Sequence, residues 1–204
     1  MLQISTVQPS TLELLRKLQK VEILQSTRLV GGTALALQLG HRFSIDLDFF
    51  GQVEGNTENI VMNLVSEGFN VISRGNSKNI HILNVNGVKT DIVNYKYYSW
   101  IDDAVEDDGI RLAGLRDIAA MKVAAIINRG SKKDFIDMYF LLKHFSIKEI
   151  MNLYLKKYPD GSAFIAHKSL SYFEDAEKQL MPQMLIPTNW NDVKKRVAAA
   201  VKEI

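Results

Sequence analysis

One short segment, from Ser44 to Phe50, constrains the fold more than any other part of the chain. Apolar residues alternate there with Asp46 and Asp48, and alternation with a period of two is the pattern of a β-strand with two distinct faces. Both carboxylates therefore lie on one face, with their backbones ~7 Å apart given the rise per strand residue. We expect a strand that carries paired acids on a single surface.

Paired carboxylates of this kind suit a magnesium site. Mg²⁺ prefers hard oxygen ligands in octahedral geometry, and proteins commonly hold it with one or two carboxylates plus substrate phosphates. Asp91 is the best third ligand, because it interrupts an otherwise apolar strand where a structural role is hard to supply. Asp46, Asp48 and Asp91 form the predicted site for two Mg²⁺ ions, which would activate an attacking hydroxyl and stabilise a leaving pyrophosphate. The alternative is a solvent-facing strand surface without a metal.

A glycine pair precedes this strand and supplies a second feature. A strand candidate ends at Val30, Gly31 and Gly32 follow, and a short helix then runs from Thr33 to Leu39. A glycine turn that opens a helix presents unpaired backbone N–H groups at a positive helix end, where phosphates bind well. We therefore expect phosphate binding at this turn. An ordinary tight turn is the plainer alternative.

Turn and capping signals divide the rest of the first half into helices and strands. Ser10 and Glu13 form a capping-box pattern ahead of a helix that we expect to end near Leu24. Asn86-Gly87 is the strongest short hairpin signal, because both residues tolerate positive φ. The remaining predictions are a helix from Asn56 or Thr57 to about Glu67, strands at 80–85 and 88–93, another strand at 95–100, and a solvated acidic loop at 102–108.

From Leu115 the periodicity becomes helical and remains so to the C-terminus. The predicted helices lie at 115–129, at 131–145, after the capping pair Ser146 and Glu149, between Pro159-Asp160-Gly161 and about Leu180, and from Asn189 onward. No linker-like composition separates the two halves. We expect an α+β fold, in which a mixed β-sheet with flanking helices (residues 1–112) is followed by a helical region (residues 113–204) packed on it.

Four runs of residues resemble the AbiEii/AbiGii family of nucleotidyltransferases, the toxins of abortive-infection toxin–antitoxin pairs. They are Gly31 to Leu37 with Gly40 to Phe50, Lys89 to Ile92, Lys122 to Arg129, and Lys133 to Tyr139. The second run departs from the family pattern at Thr90, where leucine is usual. Together the similar runs span about Leu29 to Leu142, and the first motif is highly specific.

The resemblance implies a fold related to DNA polymerase beta and an enzyme that transfers a nucleotide from Mg-NTP to an acceptor, with tRNA the first candidate. It also implies an antitoxin protein as partner. The catalytic residues it implies are Asp46, Asp48, Asp91 and Lys122. The nucleotide-binding residues are Gly31, Gly32, Thr33, Arg42, Ser44, Arg129, Asp134 and Asp137.

Several of these residues also have plainer roles. Lys122 lies in an Ala-rich helix, where a buried ammonium is costly unless it is paired, so we expect a triphosphate, Asp134 or Asp137 as its partner. The alternative is a lysine that snorkels to solvent. Arg129 also suits a helix C-terminus, and the two aspartates suit a helix start. The aromatic residues at 95–100 could stack a base, but packing at a strand edge is more common, so they stay outside the predicted site.

Composition narrows the functional classes. The chain has no Cys, which removes disulfides and thiolate chemistry, and its net charge of +2 does not by itself indicate nucleic-acid binding. No run of about 18 apolar residues occurs, so we expect no membrane contact and a cytoplasmic location. Three alternatives remain open: a small-molecule nucleotidyltransferase of the antibiotic-modifying kind, transfer to a protein, and a non-catalytic nucleotide- or antitoxin-binding module.

Overall fold

A computed structural model describes all 204 residues of the chain. Its strands are β1 (Thr27–Leu29), β2 (Leu47–Gly51), β3 (Val71–Ser77), β4 (Ile80–Val85), β5 (Val88–Asn94), β6 (Val105–Asp107) and β7 (Ile110–Leu112). Its helices are α1 (Pro9–Leu18), α2 (Gly31–Leu39), α3 (Thr57–Ser66), α4 (Leu115–Arg129), α5 (Lys132–Leu141), α6 (Ile147–Lys157), α7 (Ala163–Leu170), α8 (Glu174–Glu177) and α9 (Trp190–Val201).

All seven strands form one mixed sheet in the order β3-β4-β5-β2-β1-β7-β6. β2 lies between β1, to which it is antiparallel, and β5, to which it is parallel. The parallel register pairs Asp48 with Asp91, so two of the three predicted carboxylates are neighbours across the sheet. The mixed sheet followed by helices confirms the predicted α+β class.

The helices after the sheet share a core with it. One cluster of 48 buried apolar residues includes Phe49 of the central strand β2 and Phe135 of α5, both completely buried. Helix α4 packs against α5, α6 and α7 and also contacts α2. The sheet ends at Leu112 and the helices begin at Leu115, next to the predicted boundary, but the division into two domains stays a prediction. None of the helices is both long and apolar enough to cross a bilayer.

Local capping and turn signals predicted several elements correctly. Ser146 and Glu149 form a complete capping box at the start of α6, and the Asn56 side chain caps α3. The Asn86-Gly87 turn joins β4 to β5 with φ of 49° and 88°. Each of these signals acts within a few residues, so it can be recognised from the local sequence alone.

Other local predictions were wrong. Ser10 lies inside α1 rather than at its cap, because Pro9 takes the first helical position, where its fixed φ and missing N–H cost nothing. The helix ends at Leu18, well before Leu24, with a short 3₁₀ turn at Glu22–Leu24. The segment 95–100 is a loop. The predicted acidic loop contains β6, which turns into β7 at Asp108-Gly109 with positive φ at both residues.

The helical half also differs from the prediction in detail. Helix α5 ends at Leu141 rather than near residue 145, and two helices, α7 and α8, replace the one expected to reach Leu180. Strand β3 was not predicted, because it is an exposed edge strand with a register shift between Ser73 and Gly75 and no apolar alternation.

Candidate functional site

A small cavity of about 60 Å³ lies where β2, β5 and the helices α2, α4 and α5 meet. Its lining contains no hydrophobic residue. It consists of Gly32, Thr33, Arg42, Ser44, Asp46, Asp48, Lys89, Asp91, Lys122, Arg129 and Lys133. The fold thus brings together most of the residues that the sequence proposed as a site, from segments almost a hundred positions apart.

The three carboxylates differ in their surroundings. Burial, together with the negative charge of Asp91, raises the pKa of Asp48 to about 6. One oxygen of Asp91 accepts a hydrogen bond from Lys89 Nζ at 2.8 Å, whereas the other is buried without a partner. Asp46 lies one residue before β2, which begins at Leu47 rather than at Ser44, so it is not on the strand as expected. Its carboxylate is 3.8 Å from Lys133 Nζ.

These carboxylates fit a magnesium ion chemically. No three Asp, Glu, His or Cys side chains are already arranged around one point as metal ligands. The fit rests instead on the unpartnered oxygen of Asp91 and on the burial of Asp48, which together with the Asp91 charge raises the pKa of that carboxyl. A cation would satisfy the Asp91 oxygen and favour the ionised form of Asp48. Carboxylate oxygens are the ligands that Mg²⁺ prefers, and Asp46 is near enough to line the same cavity.

The glycine pair is required by the charged side chains around it. A Cβ atom at Gly31, whose φ is +70°, would overlap the Asp48 carboxylate, and one at Gly32 would overlap the Arg42 guanidinium. Helix α2 begins at this pair after Val30, and no side chain caps its first N–H groups. The Thr33 hydroxyl donates to the carbonyl oxygen of Asp46 and accepts from the Ser44 hydroxyl, which holds the turn before β2 against the helix.

A buried network of ions lies behind the cavity. Asp137 accepts hydrogen bonds from Arg42 Nε at 2.7 Å and Nη2 at 2.9 Å, and it lies 2.5 Å from Lys122 Nζ. Asp134 accepts from Lys122 at 3.0 Å and from Arg129 at 2.8 and 3.0 Å. Burial alone would raise the pKa of each aspartate, but the adjacent cations outweigh burial and hold both pKa values well below the usual range.

This network changes the roles expected for the two acids. Asp134 and Asp137 are completely buried and do not line the cavity, although the resemblance implied that they bind nucleotide. They bind the cations that do line it. Lys122 is paired with both acids and only 3% exposed, so the snorkelling alternative is wrong. His41, another buried partner of Asp137, donates to its carboxylate from Nε2 at 2.8 Å.

Two residues in the cavity were missing from the predicted site. Lys89 precedes Asp91 by two positions on β5 and therefore shares its face, which is a signal that the strand pattern offered. Lys133 follows Lys132 directly, and two adjacent lysines are typical of a solvated surface. Its neighbour Lys132 is in fact buried, with Nζ 5.0 Å from the centre of the Trp190 ring.

A larger cleft of about 570 Å³ opens beside the polar cavity, and we call it the carboxylate cleft. Gly31, Asp48, Asp91, Lys122 and Arg129 lie along one side of it. Much of the remaining wall is apolar or aromatic and includes Tyr95, Tyr97, Tyr98 and Tyr158. The aromatic residues that sequence reasoning left outside the site therefore lie next to the carboxylates.

Comparison with known proteins agrees with this arrangement. A protein of Aquifex aeolicus (strain VF5), aq_aa25, is 38% identical over 198 residues, which cover 94% of each chain. Among solved structures, JHP933 from Helicobacter pylori has a TM-score of 0.61 at 17% identity and covers 97% of this chain and 92% of its own. MenT4, the nucleotidyltransferase toxin Rv2826c from Mycobacterium tuberculosis H37Rv, also has a TM-score of 0.61 at 17% identity, covering 94% and 81%. Both structures share the fold.

The family model described as "Nucleotidyl transferase AbiEii toxin, Type IV TA system" matches residues 13–102 and 70–203. These two matches overlap and together take in nearly the whole chain, including every residue that lines the polar cavity. The chain therefore belongs to the AbiEii family of nucleotidyltransferase toxins and is a nucleotidyltransferase.

Proposed function

We propose that the chain transfers a nucleotide from Mg-NTP to an RNA acceptor, with tRNA the first candidate, as the toxin of a toxin–antitoxin pair. One observation carries the proposal. Three carboxylates and five cationic side chains line a single polar cavity at the uncapped start of helix α2. Carboxylates suit the metal ions of phosphoryl chemistry, and the cations and helix end suit the triphosphate.

The carboxylates have distinct tasks in this proposal. Asp46 and Asp48 would hold both magnesium ions, and Asp91 would hold the one nearer the acceptor or help to take the proton of the attacking hydroxyl. When bound, the ions supply charge neutralisation and activation of that hydroxyl. The lysines at 89 and 133, which now lie beside Asp91 and Asp46, are free to turn to the triphosphate because both are about half exposed.

The cations and backbone groups bind the phosphates. Arg129 and Lys122 border both the polar cavity and the carboxylate cleft, so they can contact a triphosphate that lies between the two. Gly32, Thr33 and Ser44 add short donors close to the backbone, where a longer side chain would exclude the ligand. Asp134 and Asp137 are positioning residues, since they hold Arg129, Lys122 and Arg42 without touching substrate.

The acceptor is best identified by direct labelling. The chain would be incubated with each labelled NTP, magnesium and total RNA, and the RNA, protein and small-molecule fractions would then be separated. We expect label in RNA, dependent on magnesium. Label in the protein fraction or in the small-molecule fraction would show that the acceptor is a protein or a small molecule rather than RNA. Absence of label in every fraction, with Mg-NTP still bound, would indicate a non-catalytic module.

The toxin role has its own test. Expression of the chain should arrest growth, and co-expression of the protein from the adjacent gene should relieve the arrest. The Asp48→Asn variant separates toxicity by catalysis from toxicity by overproduction, because it removes one carboxylate and little else. Growth arrest by that variant equal to the arrest by the unaltered chain would contradict a catalytic toxin.

A further inference from the structure

The loop between β5 and β6 separates two cavities of equal size. The carboxylate cleft lies on one side, and a second cavity of about 570 Å³ lies on the other. We call the second one the arginine cavity, because Arg28 and Arg111 line it. Tyr97 and Tyr98, which we call the tyrosine ridge, line both cavities. A ligand that extends from the carboxylates into the arginine cavity would therefore pass these two tyrosines.

The size of the two cavities exceeds what one donor nucleotide needs. A single small-molecule ligand occupies a pocket of about 300–1,000 Å³, so each cavity alone has the size of one such site. If the NTP lies in the carboxylate cleft, the arginine cavity remains for a different part of the reaction. The arginine cavity adjoins the carboxylate cleft across the tyrosine ridge. An acceptor whose reacting end lies at the carboxylates would therefore extend into the arginine cavity.

The ridge has the chemistry of a base-stacking surface. Tyr97 is 67% exposed and Tyr98 is 41% exposed, so both rings are accessible to a ligand. Lys96 Nζ lies 5.2 Å from the centre of the Tyr97 ring. Aromatic faces beside a cation are the common means by which proteins bind single-stranded nucleic acid, with bases on the rings and phosphates on the cations.

Two cations at this surface are available for phosphates. Arg28 donates to the carbonyl oxygen of Asp102 and stacks on Trp100 at 4.4 Å, and Lys96 contacts the Tyr97 ring. Neither cation forms a direct ion pair, although Asp117, Asp103 and Asp102 act on Arg28 at longer range. Arg111 differs, because its Nε donates to Glu106 at 3.2 Å. Lys96 therefore lies beside an exposed ring, and Arg28 lines the arginine cavity next to the ridge, where a polynucleotide backbone would pass.

The base of the ridge is rigid, which lowers the entropic cost of binding. Lys157 is completely buried, donates to Ser99 and to Asp117, and lies over the rings of Tyr95 and Trp100 at 5.1 and 4.6 Å. Asp117 also accepts from the backbone N–H groups of residues 101 and 102. The loop is thus held at both ends while its two tyrosines remain exposed.

We infer that the tyrosine ridge, with Lys96 and Arg28, binds the single-stranded end of the RNA acceptor and directs it toward Asp48 and Asp91. This inference rests on the proposed function. A base stacks on Tyr97 or Tyr98, and the adjoining phosphates contact the two cations. The ridge is therefore an acceptor site, distinct from the residues that bind the triphosphate of the donor.

The test measures binding of a fluorescent single-stranded RNA oligonucleotide to the full chain by anisotropy, and binding of Mg-NTP by calorimetry. Tyr97→Ala should weaken RNA binding about 5- to 150-fold, the range for loss of one stacked base, and Tyr97→Phe should restore it. Lys96→Ala should reduce the dependence of log affinity on log salt concentration by about 0.7, the value for one phosphate contact on a single strand. Mg-NTP affinity should not change.

The chain offers a matched control on α7. Phe164 is 71% exposed and has Lys168 Nζ 5.7 Å from its ring centre, so the pair reproduces the ridge geometry, but it lines neither cavity. Phe164→Ala and Lys168→Ala should leave RNA binding unchanged. Equal losses in the ridge and control variants, or no RNA binding by the unaltered chain, would overturn the inference.

Two further results also decide the matter. A parallel fall in Mg-NTP affinity in Tyr97→Ala would assign the ridge to the donor, and tighter binding of DNA of the same sequence would remove RNA as the acceptor. If the proposed function is wrong, the unaltered chain will transfer no nucleotide although it still binds RNA. If transfer is normal and the ridge variants bind RNA as tightly as the unaltered chain, only the inference about the ridge is wrong.

Discussion

Asp48 and Asp91 are partners in the register between the parallel strands β2 and β5, so two carboxylates lie side by side at the end of a polar cavity. Burial makes ionisation of Asp48 costly, and the like charge of Asp91 adds to that cost. The pKa of Asp48 is accordingly raised to about 6. The pair is unfavourable for the folded chain alone, as is common where a site is arranged for a ligand.

The first prediction concerns stability against pH without metal. Asp48 has a folded pKa of about 6 and an ordinary value of 3.8, so the folded state holds this proton more tightly and loses stability as pH rises through this interval. Asp48→Asn should therefore be more stable than the unaltered chain at pH 7.5, by on the order of 3 kcal/mol. The difference should shrink toward pH 4. Urea unfolding of both proteins in chelator measures it, and a less stable variant at pH 7.5 would contradict the pKa assignment.

The second prediction concerns Lys122, the shared partner of Asp134 and Asp137. Lys122→Ala removes a buried cation and leaves two buried carboxylates with fewer partners, which should cost about 3–5 kcal/mol of unfolding free energy. Lys133→Ala is the control, because that lysine lines the same cavity but is 47% exposed, and an exposed pair contributes about 0–1 kcal/mol. Equal denaturation midpoints for the two variants would show that the network is not a major source of stability.

The third prediction concerns Gly32. In Gly32→Ala the new methyl group would displace the Arg42 guanidinium, which Asp137 holds through two hydrogen bonds. We expect a loss of about 1–3 kcal/mol in stability, as for an overpacked site, together with weaker Mg-NTP binding by the folded fraction. Gly75→Ala is the control, since the nearest atom to its added Cβ is 4.0 Å away. Unchanged Mg-NTP affinity in folded Gly32→Ala would reduce the glycine pair to a structural turn.

The fourth prediction concerns the completely buried pair of Lys157 and Asp117, 2.6 Å apart. Lys157→Ala should destabilise the chain by about 3–5 kcal/mol, because Asp117 would remain buried without its cation. It should also lower RNA affinity, because the tyrosine ridge loses its support. Lys156→Ala, an exposed neighbour on α6, should change neither quantity. Thermal unfolding and oligonucleotide anisotropy check both parts, and a variant as stable as Lys156→Ala would refute the prediction.

How far the sequence predicts this structure depends on the range of each interaction. The Asn86-Gly87 turn and the Ser146 capping box are local and were predicted correctly. The alternation around Asp46 and Asp48 indicated β2, although the strand begins only at Leu47. Strand β3 has no such signal, because both its faces are largely polar or exposed. It is a strand because it pairs with β4, and its own residues do not show that pairing.

The site needed information that no local pattern contains. The register that sets Asp48 against Asp91 joins strands separated by some forty residues, and the burial of Asp134 and Asp137 depends on how α5 packs against α4 and α2. The family resemblance identified these acids but implied that they bind the nucleotide. Only the fold shows that they hold Lys122, Arg129 and Arg42 from behind the cavity.

A single-turnover assay tests most directly whether these carboxylates are required for nucleotide transfer. It uses labelled NTP, magnesium and the acceptor fraction that carried label in the incubation described above. Asp48→Asn and Asp91→Asn should each lower the rate by at least about a hundredfold, because each removes a ligand from the site on which the chemistry depends. Asp160→Asn, an exposed acid in the turn after α6, should react at the unaltered rate. Transfer by Asp48→Asn and Asp91→Asn as fast as by Asp160→Asn, with all three variants folded, would contradict the account.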